Sequence, residues 1–298
     1  MKEAFFKLRT RYYLFFIFLS LCSFMNAQLC WQITGKELVK PSYLFGTHHL
    51  IDKKEIKGFG YYEDLANKCD AVVGEIDMTD SLETSMKLMK ASRMENRTLK
   101  DLYPQNIYSI IDKEFKSVIG VGLERFQNLK PITLLSMYTM SRYKKEIGND
   151  SDATPIDLLF QRIAIAEKKR IIGLETADEQ IDVLFNSISL ESQAKMLLDA
   201  VKEKDDDTKM MHQLQKAYLK GNMAMAAQFS EEDKGMTPQE RFALLDNRNR
   251  KWFEKLPSLM QEQSCFVAVG FMHLVGKNGL VDMLKKSGYT LKPVLPKK

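Results

Sequence analysis

The chain has 298 residues, with 44 basic and 39 acidic side chains, a net charge of +5 at pH 7 and an ordinary 45 % of hydrophobic residues. Setting aside a leader at residues 1–27 removes Lys2, Lys7, Arg9, Arg11 and Glu3, which leaves 40 basic and 38 acidic residues, a charge of +2. That near balance, with no basic stripe among aromatics, argues against a nucleic-acid partner, and Cys30, Cys69 and Cys265 are too few for a disulfide framework.

The leader is read from a basic start followed by the apolar run Leu14 to Leu21, too short to cross a bilayer comfortably. Ala27 suits the last residue before cleavage, although Met25 is bulkier than usual at its position. Cys22 lacks the small residues before it that a lipid-anchor signal needs. The expectation is an exported protein, periplasmic or secreted, with no membrane span after cleavage and one domain over 28–298. Its oligomeric state is left open. Export permits a disulfide, so one pair plus a free thiol and three buried thiols both stay open.

Strands are predicted at Cys30 to Thr34, Ser42 to Phe45, Ala71 to Ile76, Arg170 to Leu174 and Cys265 to Val269, short apolar runs of the kind buried strands show. Thr290 to Val294 is a sixth, weakened by Pro293. Helices are predicted over 81–95, 131–146, 155–168, 177–220 with polar breaks, 237–256 and 277–287. The start at 155 is read from Thr154 as N-cap with Pro155 in the first turn. Charged Lys202 to Lys209 reads as a solvated helix face or loop. The fold class is α/β, mixed α+β: a central sheet from the two ends of the chain and a large helical middle.

Four histidines occur, and two of them follow a glycine by three residues just after an apolar strand: Gly46-Thr47-His48-His49 and Gly270-Phe271-Met272-His273. A glycine there lets the chain bend or approach a ligand closely. A histidine beyond it stands at the sheet rim, where α/β proteins place ligands. Glutamates hold matching positions, Glu75 after Val72-Val73-Gly74 and Glu175 after Ile171-Ile172-Gly173-Leu174. A carboxylate there is costly unless it is paired, liganded or hydrogen-bonded. Two imidazoles with one or two carboxylates make a workable hydrolytic metal site. Glu175 alternatively caps the next helix. Arg248 either binds a substrate carboxylate or oxyanion or lies on an exposed basic helix face. His48 is read as a neighbour pointing away, His212 as a surface residue, Asp157 as a helix-start charge, and Cys265 as a strand residue with no nucleophilic role. Gly-x-Ser-x-Gly, His-Glu-x-x-His and phosphate-binding glycine motifs are absent from the sequence.

The segments PSYLFGTHHL (41–50), VVGEIDM (72–78), IIGLETADEQ (171–180) and VAVGFMHLVGKNGLVDMLKKSGY (267–289) resemble the TraB/GumN family, which includes the Tiki-type metalloproteases. TLKDLYP (98–104), LKPITLL (129–135) and LLDNRNRKW (244–252) are weaker echoes in the same order. The resemblance implies a sheet carrying both Gly-x-x-His elements and metal-dependent hydrolysis, of peptide bonds in the Tiki-type members. Carried over, His49 and His273 are the paired histidines, and Glu75 and Glu175 are the strand-end glutamates. His48 departs from the apolar residue expected there.

The resulting expectation is an exported metal-dependent hydrolase of the peptidase type, acting on a peptide or protein. His49, His273 and Glu75 would hold a divalent metal (manganese, cobalt, zinc or iron), and Glu75, Glu175 and Arg248 are the candidate catalytic residues. A non-catalytic peptide-binding protein outside the cytoplasm and a metal-free His/Glu hydrolase are the alternatives.

Overall fold

Strands β1 (Cys30–Thr34), β2 (Ser42–Thr47), β3 (Ala71–Gly74), β4 (Arg170–Gly173), β5 (Cys265–Gly270) and β6 (Thr290–Val294) form one sheet. Their order is β4-β3-β5-β2-β1-β6 in the computed structural model, which describes residues 28–79, 81–147, 154–232 and 237–296. The leader reading lies outside these residues. β4, β3, β5 and β2 run parallel, while β1 is antiparallel to both β2 and β6. Strands from the chain's two ends thus build most of the sheet, as expected, and β4 joins it from the helical middle. The central strands β3 and β5 are apolar throughout because parallel strands are covered on both faces. Val72, Val73, Val267 and Val269 are fully buried.

The helices, in chain order, are α1 (Phe59–Lys68), α2 (Ser81–Ala91), α3 (Leu99–Leu102), α4 (Gln105–Val118), α5 (Pro131–Ile147), α6 (Ile156–Ala166) and α7 (Ala177–Asn186). They continue with α8 (Leu190–Lys202), α9 (Lys204–Leu219), α10 (Met223–Glu232), α11 (Pro238–Arg241), α12 (Asn247–Glu262) and α13 (Leu280–Lys286). α6 lies on the sheet through Phe160, whose ring centre is 4.6 Å from Phe266 and 5.1 Å from Phe45. Phe45 also meets Tyr62 of α1 at 5.0 Å. The same core continues through Trp252, Leu256 and Met260 of α12 and Leu280 and Leu284 of α13. A second apolar cluster holds the helical middle together around Ile111, Phe115, Leu134, Tyr138 and Leu197.

Several predicted boundaries move. Pro155, not Thr154, is the N-cap of α6, and Ile156 opens the helix, because the backbone at Pro155 is still extended, at ψ 139°. The 81–95 helix stops at Ala91, and the 177–220 stretch is three helices, α7 to α9. α1, α3, α4 and α10 have no counterpart among the predicted elements. α12 runs through Pro257 to Glu262, beyond the predicted end at 256. Cys30, Cys69 and Cys265 are three buried free thiols, which resolves the disulfide alternative. The Lys202–Lys209 run straddles a helix break at Glu203. Among the described residues no helix is long and apolar enough to cross a membrane.

Candidate active site at the carboxyl edge of the parallel strands

Four parallel strands end on one edge, so the residues that follow them are brought together whatever their separation in sequence. Gly74 is in register with both Gly173 and Ala268, and Thr47 with Gly270. Their continuations deliver Glu75 from β3, Glu175 from β4, His273 from β5 and His48-His49 from β2. Crevices outside the carboxyl ends of parallel strands are where such sheets bind ligands.

The strand-end glycines serve close approach and not an unusual backbone. A Cβ on Gly46 would stand 2.6 Å from the Phe271 ring, and one on Gly173 would stand 2.8 Å from the carbonyl oxygen of Glu175. A Cβ on Gly270 would press on Glu75 Oε1 at 3.2 Å. Buried Gln161 crosses over Gly74: its Nε2 donates to the Ile76 carbonyl at 2.8 Å and its Oε1 accepts from the Met78 N–H at 2.9 Å. That clamp fixes the turn carrying Glu75.

Arg248, from the first turn of α12, fills the centre of the site. Only 6 % of it is exposed, so the reading of an exposed basic helix face gives way to a buried cation. It follows a π-helical turn, Phe242–Asp246, of the type often found at functional sites. Its Nε donates to both oxygens of Glu175, at 3.2 and 3.1 Å. Nη2 bridges the two carboxylates, at 2.6 Å from Glu75 Oε2 and 2.6 Å from Glu175 Oε1. Nη1 donates to the Leu244 carbonyl and faces His273 Nε2 at 3.0 Å. A guanidinium has five N–H groups, and each of them has a partner inside the protein. In this arrangement Arg248 balances the carboxylates and has no N–H left for an oxyanion. The indole of Trp252 lies beneath it, 4.6 Å from the guanidinium carbon, and donates from Nε1 to Glu175 Oε2 at 3.1 Å. Gln180 donates to Glu75 Oε2 and Glu175 Oε1. Glu175 is therefore not the cap of α7; Thr176 and Glu179 form that capping box.

These contacts determine the state of His273. A guanidinium can only donate, so Nε2 accepts and Nδ1 carries the proton. That N–H reaches Asn249 Oδ1 at 2.7 Å, while Asn249 Nδ2 donates to the carbonyls of His273 and Asn278. Burial pushes His273 down to about 3, so it is neutral at physiological pH. For Glu75, burial opposes the charge, and His273, Arg248 and the Gly270 N–H together outweigh it, leaving its pKa below the usual value. With His273 neutral, the lasting attraction is that of Arg248. The Gly270 N–H donates to Glu75 Oε1 at 2.8 Å.

His49 stands apart from the buried cluster. Its side chain is 62 % exposed and its Nδ1 is 3.8 Å from Asp157 Oδ1, an ion-pair separation and not a hydrogen bond. Asp157, read from sequence as a helix-start charge, does sit in the first turn of α6 and also holds the His49 pKa above the ordinary imidazole value. His48 packs on Tyr218, accepts from the Leu50 N–H and is pushed by burial down to about 4. His212 is an exposed residue of α9, as expected. In protein labelled with 15N-histidine, an NMR titration should therefore show His273 as the Nδ1–H neutral tautomer at every pH above about 5, with His49 titrating above the usual imidazole range. A His273 that protonates near pH 6.5 would contradict the arrangement.

The donor types suit a divalent ion, but their arrangement does not. Among the described residues no group of three His, Cys, Asp or Glu is brought together to hold a metal. Glu75 Oε1 and His273 Nε2 are 4.0 Å apart, with the cation Arg248 bonded to both residues, and His49 turns to Asp157.

A profile of the TraB/PrgY/gumN family matches residues 29–293. A curated protein of Amphimedon queenslandica, named Metalloprotease TIKI homolog, is 24 % identical over 319 residues, covering 88 % of this chain and 60 % of that protein. The chain thus spans about three-fifths of that relative's length. No solved structure matches.

Proposed function

The chain belongs to the TraB/PrgY/gumN family, and from that premise we propose that it is an exported hydrolase of peptide bonds working at the mouth of the Glu75–Arg248–His273 cluster. The observation that supports this reading is convergence. A charged carboxylate, a neutral imidazole with a directed lone pair and a buried cation meet at one sheet edge from three distant parts of the chain, beside a solvent-open imidazole. Glu75 is the least buried of the cluster's carboxylates and is charged, so it can hold or move a proton at Oε1. His49, backed by Asp157, is exposed beside the cluster and close enough to feel the charges of Glu75 and Arg248. Arg248 and Gln180 hold the two carboxylates in place.

The name of the curated relative supports metal dependence. We place the ligands at His49, Glu75 and His273, for manganese, cobalt, zinc or iron. Such an ion, when bound, would polarise a carbonyl and acidify water. In the arrangement described these donors do not form that site, and loading requires Arg248 to release Glu75 and His273. That same observation favours a second reading, metal-free hydrolysis with His49 as general base.

Elemental mass spectrometry on wild-type protein and on a His49→Ala/His273→Ala double variant tests the choice, after incubation with each candidate ion. About one equivalent of metal in the wild type, lost in the double variant, would support the metal reading. No metal in either, with hydrolysis that resists chelators yet disappears in His49→Ala, would replace the metal reading by the metal-free one. Ligand capture without turnover in every condition would replace both by a binding protein.

A further inference from the structure

Away from this site, a basic cleft lies between α2 and α7. Its volume is about 640 Å³, and it is lined by Lys87, Lys90, Arg93, Arg97 and Lys130 against only two carboxylates, Glu95 and Asp178. That surplus is local, because the chain as a whole is close to neutral once the leader is set aside. Lys87 is held by Glu83 and Asp178, both at 2.9 Å, and Arg97 by Glu191 at 2.6 Å. Lys130 donates to Asn186 Oδ1 at 2.9 Å. Lys90 and Arg93 are exposed and have no carboxylate partner among the described residues. Ala91, Met94, Ile181 and Leu190 give the same cleft an apolar lining. Concave, partly apolar places with a few converging charges are where ligands dock.

Topology joins this cleft to the site. α2 follows the turn that carries Glu75, and α7 begins two residues after Glu175. The opposite side of α7 supplies Gln180 to both glutamates, while Asp178, Ile181 and Asn186 line the cleft. Leu82, Met86 and Met89, spaced along one face of α2, are 73 %, 61 % and 62 % exposed on the helix that also carries Lys87 and Lys90. Methionine-rich surfaces adapt to varied apolar side chains.

The geometry points to a docking site for an acidic segment of the polypeptide substrate, its carboxylates on Lys90 and Arg93 and its apolar side chains on the α2 methionines. This rests on the peptidase reading for the word substrate but not for the binding itself. Fluorescence anisotropy with labelled hexaglutamate and hexaglutamine peptides, on the full mature chain, is the test. Hexaglutamate should bind and hexaglutamine should not. A Lys90→Glu/Arg93→Glu double variant should weaken binding by about tenfold or more, and raising the salt from about 50 to about 300 mM should weaken it as well. Hydrolysis of a short uncharged peptide should be unchanged in that variant. The milder Lys90→Gln/Arg93→Gln pair should fall between, which separates charge from any effect on folding. Equal binding of the two peptides, or wild-type affinity in the charge-reversed variant, would overturn the proposal. Binding that meets these terms without turnover of any peptide would sustain it while overturning the peptidase reading.

Discussion

Arg248→Met should lose stability at neutral pH and recover part of it on acidification, the opposite of the wild-type response. In the wild type the guanidinium lies 2.6 Å from a carboxylate oxygen of Glu75 and 2.6 Å from one of Glu175, with all three side chains 15 % exposed or less. Removing one partner of a buried ion pair leaves an uncompensated charge and costs on the order of 3–5 kcal/mol. Here two carboxylates would face each other without their shared cation, so the upper part of that range is expected. Methionine keeps the apolar stem and the contact with Trp252, and therefore tests the charge more than the packing.

The sign of the pH effect follows from Glu75. Its folded pKa is depressed below the free value of 4.5, so its stabilising contribution is present above about pH 4.5 and is lost as the pH falls through the folded value. Without Arg248 the full positive charge beside the carboxyl is gone, and burial, the largest influence on it, raises its pKa against the remaining Gly270 N–H donor. A raised folded pKa contributes stability below the unfolded value and loses it as the pH rises. Urea unfolding of the variant should accordingly give a higher midpoint near pH 5 than near pH 7.5, while the wild-type midpoint falls only below about pH 4.5. Arg248→Lys should lie between, since one ammonium cannot reproduce the fork to Glu175, Glu75, Leu244 and His273. A variant as stable as the wild type at pH 7.5 would mean that the buried cluster is not the structural centre described.

The sheet edge was the legible part of this protein. Short apolar runs ending in glycine place Glu75, Glu175 and His273 on strand ends, and parallel pairing then brings them together without further information. The rest depends on helices that carry their signal elsewhere. Arg248 lies in a charged Asn-Arg-Asn-Arg stretch whose local pattern suits solvent as well as a core; only the packing of Trp252 and Leu256 turns that face inward. Asn249, Gln180 and Trp252 have no motif, because their roles exist only once His273 and the glutamates are near. Asp157 does serve the helix start, and its second role toward His49 needs α6 to lie beside the β2 loop. α1 contains Gly60 and adjacent tyrosines, weak helix formers that tertiary packing overrides. α12 passes Pro257 for a similar reason: the buried stripe Trp252, Leu256, Met260 outweighs one missing backbone hydrogen bond.

The largest loss of activity is expected from Glu75→Gln. The change preserves size and burial and removes the one charged carboxylate of the cluster that has some access to the mouth, 15 % exposed against 6 % for the Glu175 side chain. A neutral amide cannot take up a proton. It also brings an N–H₂ group toward donors that now need acceptors, the Gly270 N–H at 2.8 Å and Arg248 Nη2 at 2.6 Å. Proton-transfer groups of this kind are worth about 10²–10⁴ in rate, so kcat/KM on a cleavable peptide should fall by that order with far-UV circular dichroism unchanged. Glu175→Gln is the informative comparison. Both oxygens of Glu175 are already bound by Arg248, with Gln180 and Trp252 adding one contact each, so it positions the cation and does not meet substrate. That variant should show the greater loss of stability and the smaller loss of kcat, with KM little changed. If Glu75→Gln kept kcat/KM within about threefold of the wild type while Glu175→Gln abolished turnover in a folded protein, the two glutamates would have to exchange roles. The reacting centre would then lie on the Trp252 side of Arg248.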